Sequence, residues 1–115
     1  MGHGPSAKNV ARFARMFSAM GTEARLRVIR LLLAAHPQGI VASEIAEELG
    51  LPNSTLSHHL DKLKNHNLVN VRREGTFLWY TANDEVLQEL VNFLYKECCT
   101  RGGAVRLQTV LRIAK

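Results

Sequence analysis

Leu49-Gly-Leu-Pro-Asn-Ser-Thr-Leu-Ser-His-His-Leu-Asp-Lys-Leu63 is the stretch on which the fold turns. Gly50 and Pro52 punctuate it, and Pro52 cannot continue a helix arriving from Leu49. Beyond the break, Asn53 or Ser54 offers an N-cap oxygen to the first free N–H groups of a new helix. Leu56, Leu60 and Leu63 then fall at i, i+4 and i+7, one apolar stripe on that helix. The surrounding positions are small or polar: Asn53, Ser54, Thr55, Ser57, His58, Asp61 and Lys62. Such side chains donate and accept hydrogen bonds, which suits the base edges of a DNA major groove. The preceding Ser43–Leu49, SEIAEEL, reads as a short amphipathic helix. Two short helices joined by a Gly-containing turn make a helix-turn-helix, placed here over residues 43–66. A helical hairpin that only fills a core has the same signature, so the flanking sequence decides.

Downstream, Asn65-His66-Asn67 ends the helix, and two strand-like runs follow, Leu68–Arg73 and Thr76–Thr81. Val69 and Val71 alternate with polar residues, the second run is aromatic and β-branched, and a turn at Glu74-Gly75 lies between them. This pattern predicts a β-hairpin over residues 68–81. Its tip is basic, and Arg72, Arg73 and Thr76 suit phosphate or minor-groove contact. A helix-turn-helix followed by a hairpin with arginines at its tip is a winged helix.

Upstream, residues 1–7 are expected to be flexible, with Met1–Pro5 Gly-rich and His3 incidental. Lys8–Met20 has helical spacing through Val10, Phe13, Phe17 and Met20. Thr22 caps a second helix to Ala35, with Leu26, Ile29 and Leu33 on one face, Leu32 beside them, and Arg25, Arg27 and Arg30 as a solvated face. Ile40-Val41 reads as a short strand leading into the Ser43 helix. Asn83 caps a last helix, from Asp84 to about Lys96, whose first-turn acids suit its positive end. Residues 83–99 are assigned to this dimerisation helix. Its apolar residues exceed one stripe, so it is expected to bury two faces, one against its domain and one against a partner. With the first helix it would build a two-fold dimer, with Val10, Phe13, Phe17, Leu87, Leu90, Val91 and Leu94 at the interface. Residues 100–115 are expected to be a C-terminal extension, with a break at Thr100–Gly103 and a further short helix over Val105–Ile113. The fold class is mostly α with a small β-hairpin (α+β), a single winged helix-turn-helix domain over 1–115.

Composition narrows the function. Fifteen Lys and Arg against ten Asp and Glu give a net charge of +5, which favours an anionic partner and above all nucleic acid. A merely soluble surface carries a similar charge. The 46% hydrophobic content is that of a globular chain. Two adjacent cysteines make no disulfide framework and point to a reducing compartment. No apolar run reaches transmembrane length, and no signal-peptide h-region is seen, so no membrane contact and a cytoplasmic location are expected. There is no phosphate loop, no nucleophile paired with a base and no paired carboxylates, so no enzymatic activity is expected. A protein-interaction module without DNA binding would explain the amphipathic termini but leave the basic wing without a purpose.

Four segments resemble the ArsR/SmtB family of dimeric winged-helix repressors. They are Ser18-Ala-Met-Gly-Thr-Glu-Ala-Arg-Leu-Arg-Val-Ile-Arg-Leu-Leu32, Glu44-Ile-Ala-Glu-Glu-Leu-Gly-Leu51, Ser54-Thr-Leu-Ser-His-His-Leu60 and Arg72-Arg-Glu-Gly-Thr-Phe-Leu-Trp-Tyr80. The resemblance implies five helices and a wing, a homodimer through the terminal helices, and release of double-stranded operator DNA when an effector binds. The DNA-binding set is then Asn53, Ser54, Thr55, Ser57, His58 and Lys62, with Arg72, Arg73 and Thr76. His59, three residues after Leu56, reads as a satisfied core or interface histidine.

Many relatives carry Cys-x-Cys at the third helix, where this chain has Gly39-Ile-Val-Ala-Ser-Glu44. Others place zinc ligands on the last helix as Asp-x-His, where this chain has Asp84-Glu-Val86. Cys98-Cys99 resembles the pair of arsenic-responsive members, which usually add a third cysteine; Thr100-Arg-Gly-Gly-Ala-Val105 supplies none. Soft thiolates suit As(III) or Sb(III) as an effector, and no cofactor is otherwise required. Adjacent residues diverge on a helix, so both sulfurs reach one atom only where the helix frays. Lys96 and Arg101 are expected to favour the thiolate. A redox sensor, a structural pair and an effector-independent regulator stay open as alternatives.

Overall fold

The order of elements is α1 (His3–Met20), α2 (Glu23–Ala34), β1 (Ile40–Val41), α3 (Ala42–Leu49), α4 (Asn53–Asn65), β2 (Val69–Glu74), β3 (Phe77–Ala82) and α5 (Asp84–Tyr95). The computed structural model describes residues 3–102, with side chains from 9 onward. The helix expected over Val105–Ile113 lies outside the described residues.

α1 begins at His3, within the segment expected to be loose. Pro5 does not prevent this, because the first turn of a helix has no intrahelical use for the N–H that proline lacks. Thr22 caps α2 as expected, its Oγ1 accepting from the Arg25 N–H at 3.2 Å. The phase of α2 differs from expectation. Val28, Ile29 and Leu32 are buried, while Leu26 is 50% and Leu33 40% exposed. Arg25 lies on the buried side with Val28, Ile29 and Leu32, at i, i+3, i+4 and i+7. A stripe started from Leu26 is therefore rotated by one residue.

The helix-turn-helix forms where the sequence places it. Gly50 closes α3 in the left-handed region (φ 67°), and the Leu51 N–H returns to the Ala46 carbonyl at 2.9 Å. Only a residue without a Cβ enters this conformation at no steric cost. The start of α4 corrects the expected cap. Pro52 is the N-cap residue, and neither Asn53 nor Ser54 caps with its side chain. Proline's φ of −60° launches Asn53 directly into the first turn, which puts Asn53 and Ser54 inside the helix instead of before it. Leu56, Leu60 and Leu63 are all buried.

The three strands run in the order β1-β3-β2, all antiparallel. The hairpin sits one residue later than expected, because Glu74 pairs with Phe77 and leaves Gly75-Thr76 as a two-residue turn. β1 pairs Ile40 with Tyr80 and Val41 with Trp79, so the loop before α3 is stitched to the root of the wing. Gly39 makes this approach feasible. It is buried with φ 91°, and a Cβ there would lie 2.6 Å from the Tyr80 carbonyl oxygen.

Asn83 caps α5, its Oδ1 accepting from the Val86 N–H at 3.3 Å. α5 ends at Tyr95 instead of reaching residue 99. It packs beside α1 through a T-shaped contact of Phe13 and Phe93, with centroids 4.7 Å apart, and an Arg12–Glu89 ion pair at 3.6 Å. One core joins Phe13, Met16 and Ala19 of α1 to the buried faces of α2, α3, α4 and β3 and to Leu90 of α5.

Candidate nucleic-acid interface

With its three leucines turned inward, α4 shows a polar face to solvent. Asn53, Ser54, Thr55, Ser57, His58 and Lys62 are all exposed, and so is Asp61. Ser54, Ser57, His58, Asp61 and Lys62 share a strip at i, i+3, i+4, i+7 and i+8. The first turn holds no acid and the last holds Lys62 and Lys64, so nothing near the helix start opposes an anion. The uncapped N–H groups of that first turn can receive a phosphate oxygen.

The two wing arginines differ. Arg72 Nε donates to Glu74 Oε2 at 2.8 Å and Nη1 to the Gln38 carbonyl at 3.2 Å, and its guanidinium lies 5.2 Å from the centre of the Trp79 ring across the ladder. Arg73 is exposed and makes no ion pair among the described residues. Thr76 sits exposed at the tip. The wing thus offers one arginine held by three contacts and one free to reach. Between wing and helix runs an open groove of about 300 Å³ lined by Ser43, Asn53, Leu56, Ser57, Leu78 and Tyr80, among others.

His58 faces outward. His59 faces inward, half-buried, with its Nδ1 3.2 Å from Arg25 Nη1, while Arg25 Nε donates to the Ala19 carbonyl at the end of α1. Burial, then Arg25, then His58 lower the His59 pKa from its ordinary value. Arg25 is therefore no member of the expected solvated face, although Arg27 and Arg30 are exposed. Sequence reasoning misses this role because an arginine inside an apolar stripe carries no periodic signal of its own. Gln38, which anchors Arg72 through its backbone, leaves no side-chain signal at all.

The residues assigned to a dimer interface divide. Phe13 is 6% and Leu90 1% exposed within a single chain, and Phe17 and Leu87 are partly covered by the same core. Val10, Val91 and Leu94 remain 53%, 46% and 61% exposed. Val10 and Leu94 line a hollow of about 260 Å³ with Asn9, Phe93, Lys96 and Glu97.

Cys98 and Cys99 lie in the turn after α5, where Cys99 adopts a φ of 68°. The chain has left helical geometry, and this brings the two sulfurs to 2.9 Å. Cys98 is exposed and Cys99 half-buried. The hydrogen bond with Cys98, then burial, then the Cys98 charge push the Cys99 thiol up, the opposite of the shift expected from Lys96 and Arg101. No cluster of three or more His, Cys, Asp or Glu able to hold a metal ion occurs among the described residues.

Residues 20–72 match the family described as a helix-turn-helix domain. An uncharacterised HTH-type transcriptional regulator of Methanocaldococcus jannaschii is 35% identical over 81 residues, spanning 70% of this chain and 89% of the relative. Among solved structures, HlyU from Vibrio cholerae superposes with a TM-score of 0.64 at 32% identity, covering 80% of this chain and 97% of that one. The homodimeric winged helix-turn-helix DNA-binding domain of Mb0332 from Mycobacterium bovis, described as a possible ArsR-family transcriptional regulator, gives 0.64 at 28% identity, covering 82% and 87%. The chain belongs to the ArsR/SmtB family. This is a family of transcriptional regulators with a winged helix-turn-helix fold, in which α3 and α4 form the helix-turn-helix and β2 and β3 the wing. No described helix is long and apolar enough to cross a membrane.

Proposed function

We propose that the protein is a cytoplasmic, homodimeric repressor that grips a two-fold operator with α4 and the wing and is released by a thiophilic metalloid, arsenite or antimonite, at Cys98 and Cys99. The α4 face carries the DNA part of the reading, because every outward residue from Asn53 to Ser57 is polar while the leucine stripe is buried. In this reading Asn53, Ser54, Thr55, Ser57 and His58 meet base edges, and Lys62, Arg72, Arg73 and Thr76 meet the backbone. The dimer rests on α1 and α5, whose exposed Val10, Val91 and Leu94 form an apolar surface a single chain leaves uncovered. That the Mycobacterium bovis relative is homodimeric supports a dimer.

The sulfur pair carries the effector part. At 2.9 Å the two thiols are close enough to bind one soft ion, which an unbroken helix would prevent. With arsenous acid, each As–S bond forms as a thiol displaces one hydroxyl, which leaves as water with the thiol proton. The third bond falls to a hydroxyl, an external thiol or the other subunit. Binding at this place reorganises the end of the dimer helix and thereby the spacing of two reading helices whose half-sites are fixed. Fluorescence anisotropy on an operator selected from random duplexes tests the reading: arsenite should release the protein, and Cys98→Ser or Cys99→Ser should keep binding but lose release. Retained release in the double variant overturns the metalloid site. The same 2.9 Å contact favours a second reading, closure to a disulfide, which release by peroxide and reversal by a dithiol would reveal.

A further inference from the structure

Arg25 joins three helices. Its own helix is α2, its Nε holds the Ala19 carbonyl of the last turn of α1, and its Nη1 meets His59 on α4. The direction of the Arg25–His59 hydrogen bond is fixed by chemistry. A guanidinium has five donors and no acceptor and keeps its charge at every biological pH, so His59 Nδ1 must be the acceptor and the ring must be neutral, with its proton on Nε2. Protonation converts Nδ1 into a second donor, which removes the bond and sets two cations 3.2 Å apart.

The groups around His59 favour the neutral form. The two ionisable groups that act on it, Arg25 from α2 and the adjacent His58 of α4, are both basic. The last turn of α1, Phe17–Met20, carries no ionisable side chain, and Glu44, Glu47 and Glu48 of α3 make no ion pair with the ring. On β2 the Glu74 carboxylate is paired with Arg72. Among the described residues, no carboxylate hydrogen-bonds to or pairs with His59.

We propose that Arg25 and His59 form a proton-controlled clasp, in which neutral His59 holds α4 against the end of α1 and protonated His59 lets it go. The proposal rests on the reading of α4 as the DNA-contacting helix only for its effect on binding; the clasp itself is a property of the protein alone. It gives the regulator a second input, acidity, separate from the cysteine pair, and joins the dimer-side helix α1 to the reading helix through one side chain. The sign follows from the direction of the shift. His59 takes up its proton more readily in the unfolded or unclasped chain than in the clasped one. The clasp is therefore complete above the ordinary histidine value of about 6.5 and weakens as pH falls below it.

The test begins on the intact protein by NMR, following the His59 ring nitrogens and the backbone amides from pH 8 to pH 5. Expected are an unprotonated Nδ1 at neutral pH, a midpoint below the ordinary value, and amide shifts at Ala19 and Met20 and along α4 that follow the same midpoint. In Arg25→Lys, which keeps the charge but not the two-armed reach, the α1 and α4 shifts should no longer move together. A protonated Nδ1 at neutral pH, or a titration felt only by residues beside His59, overturns the clasp. Operator binding is the second readout. Wild-type affinity should fall between pH 7.5 and 5.5 relative to His59→Gln, by at most about tenfold per pH unit for each subunit, the limit for one proton. His66→Gln should track wild type, and comparison with His59→Gln cancels any contribution from His58 at the DNA. If the NMR coupling is found but no duplex binds at any pH, the reading of α4 fails while the clasp stands. If duplex binds and His59→Gln falls with pH as wild type does, the clasp does not control binding.

Discussion

α4 and α5 carry leucines at nearly the same spacing, Leu56, Leu60 and Leu63 on the first and Leu87, Leu90 and Leu94 on the second. On α4 all three disappear into the chain's own core. On α5 only Leu90 does, Leu87 is partly covered, and Leu94 stands 61% exposed. The remaining positions complete the contrast, since α4 fills them with Asn, Ser, Thr, His, Lys and one Asp, and α5 adds Val86, Val91, Phe93 and Tyr95. A helix that hides its only apolar stripe is finished as a structural element and has a wettable face to offer. One that hides a single leucine and still shows others has apolar surface left to cover. The two helices thus differ in the surface they leave, polar on α4 and apolar on α5, which is the division of partners proposed above.

The largest test of this contrast puts a charge on each side of α5. Leu90→Glu should prevent folding, because a carboxylate at a site 1% exposed costs several kcal/mol. Leu94→Glu should keep the circular dichroism of the wild type while sedimentation shifts to monomer and operator affinity collapses. Two variants that both fold and both dimerise would break the comparison. Next, Leu60→Ala should lower the unfolding free energy by about 2–5 kcal/mol at every protein concentration. Leu94→Ala should lower the melting temperature only where the wild type is dimeric, which a concentration series will show.

On the α4 side, Ser57→Ala or His58→Ala should alter which bases are preferred, by roughly 1–3 kcal/mol of discrimination at a contacted position, as read from selection on random duplexes. The smallest effect sharpens the division between helix and wing. Arg73→Ala should flatten the salt dependence of binding by about one phosphate contact for each subunit while leaving base preference alone. Arg72→Ala should do less, because its guanidinium is already committed to Glu74, Gln38 and Trp79. Equal slopes for the two would show that the arginine sheds these contacts on DNA.

The strengths and failures of the sequence reading have physical causes. Where one stripe stood alone among polar residues, as on α4, periodicity decided the buried face. α2 has apolar residues at 26, 28, 29, 31, 32 and 33, two overlapping stripes between which periodicity cannot choose, and the true one is headed by a charged residue. Thr22 and Asn83 were legible as caps because a lone capping side chain precedes each helix. At α4 two candidates, Asn53 and Ser54, adjoined, and the rigid ring of Pro52 took the cap position without a side-chain bond. The end of α5 was hidden because no glycine or proline marks it, and the turn is made by Cys99 in a conformation such residues seldom adopt. The β1 pairing joins residues 38 and 40 positions apart, a contact that local pattern does not encode.

That pairing bears on how such a regulator changes over generations or under an engineer's hand. At Gly75 an added Cβ would meet no atom within 4 Å, so only its left-handed φ of 64°, and no neighbour, disfavours a side chain at the hairpin tip. At Gly39 any side chain would strike the Tyr80 carbonyl, and the neighbouring Gln38 supplies the carbonyl that holds Arg72. A hairpin transplanted from a relative would therefore arrive without its bearing. The exchangeable module is discontinuous, made of the Gln38–Val41 segment together with the Val69–Ala82 hairpin, and chimaeras cut at the hairpin alone would inherit a wing that points elsewhere.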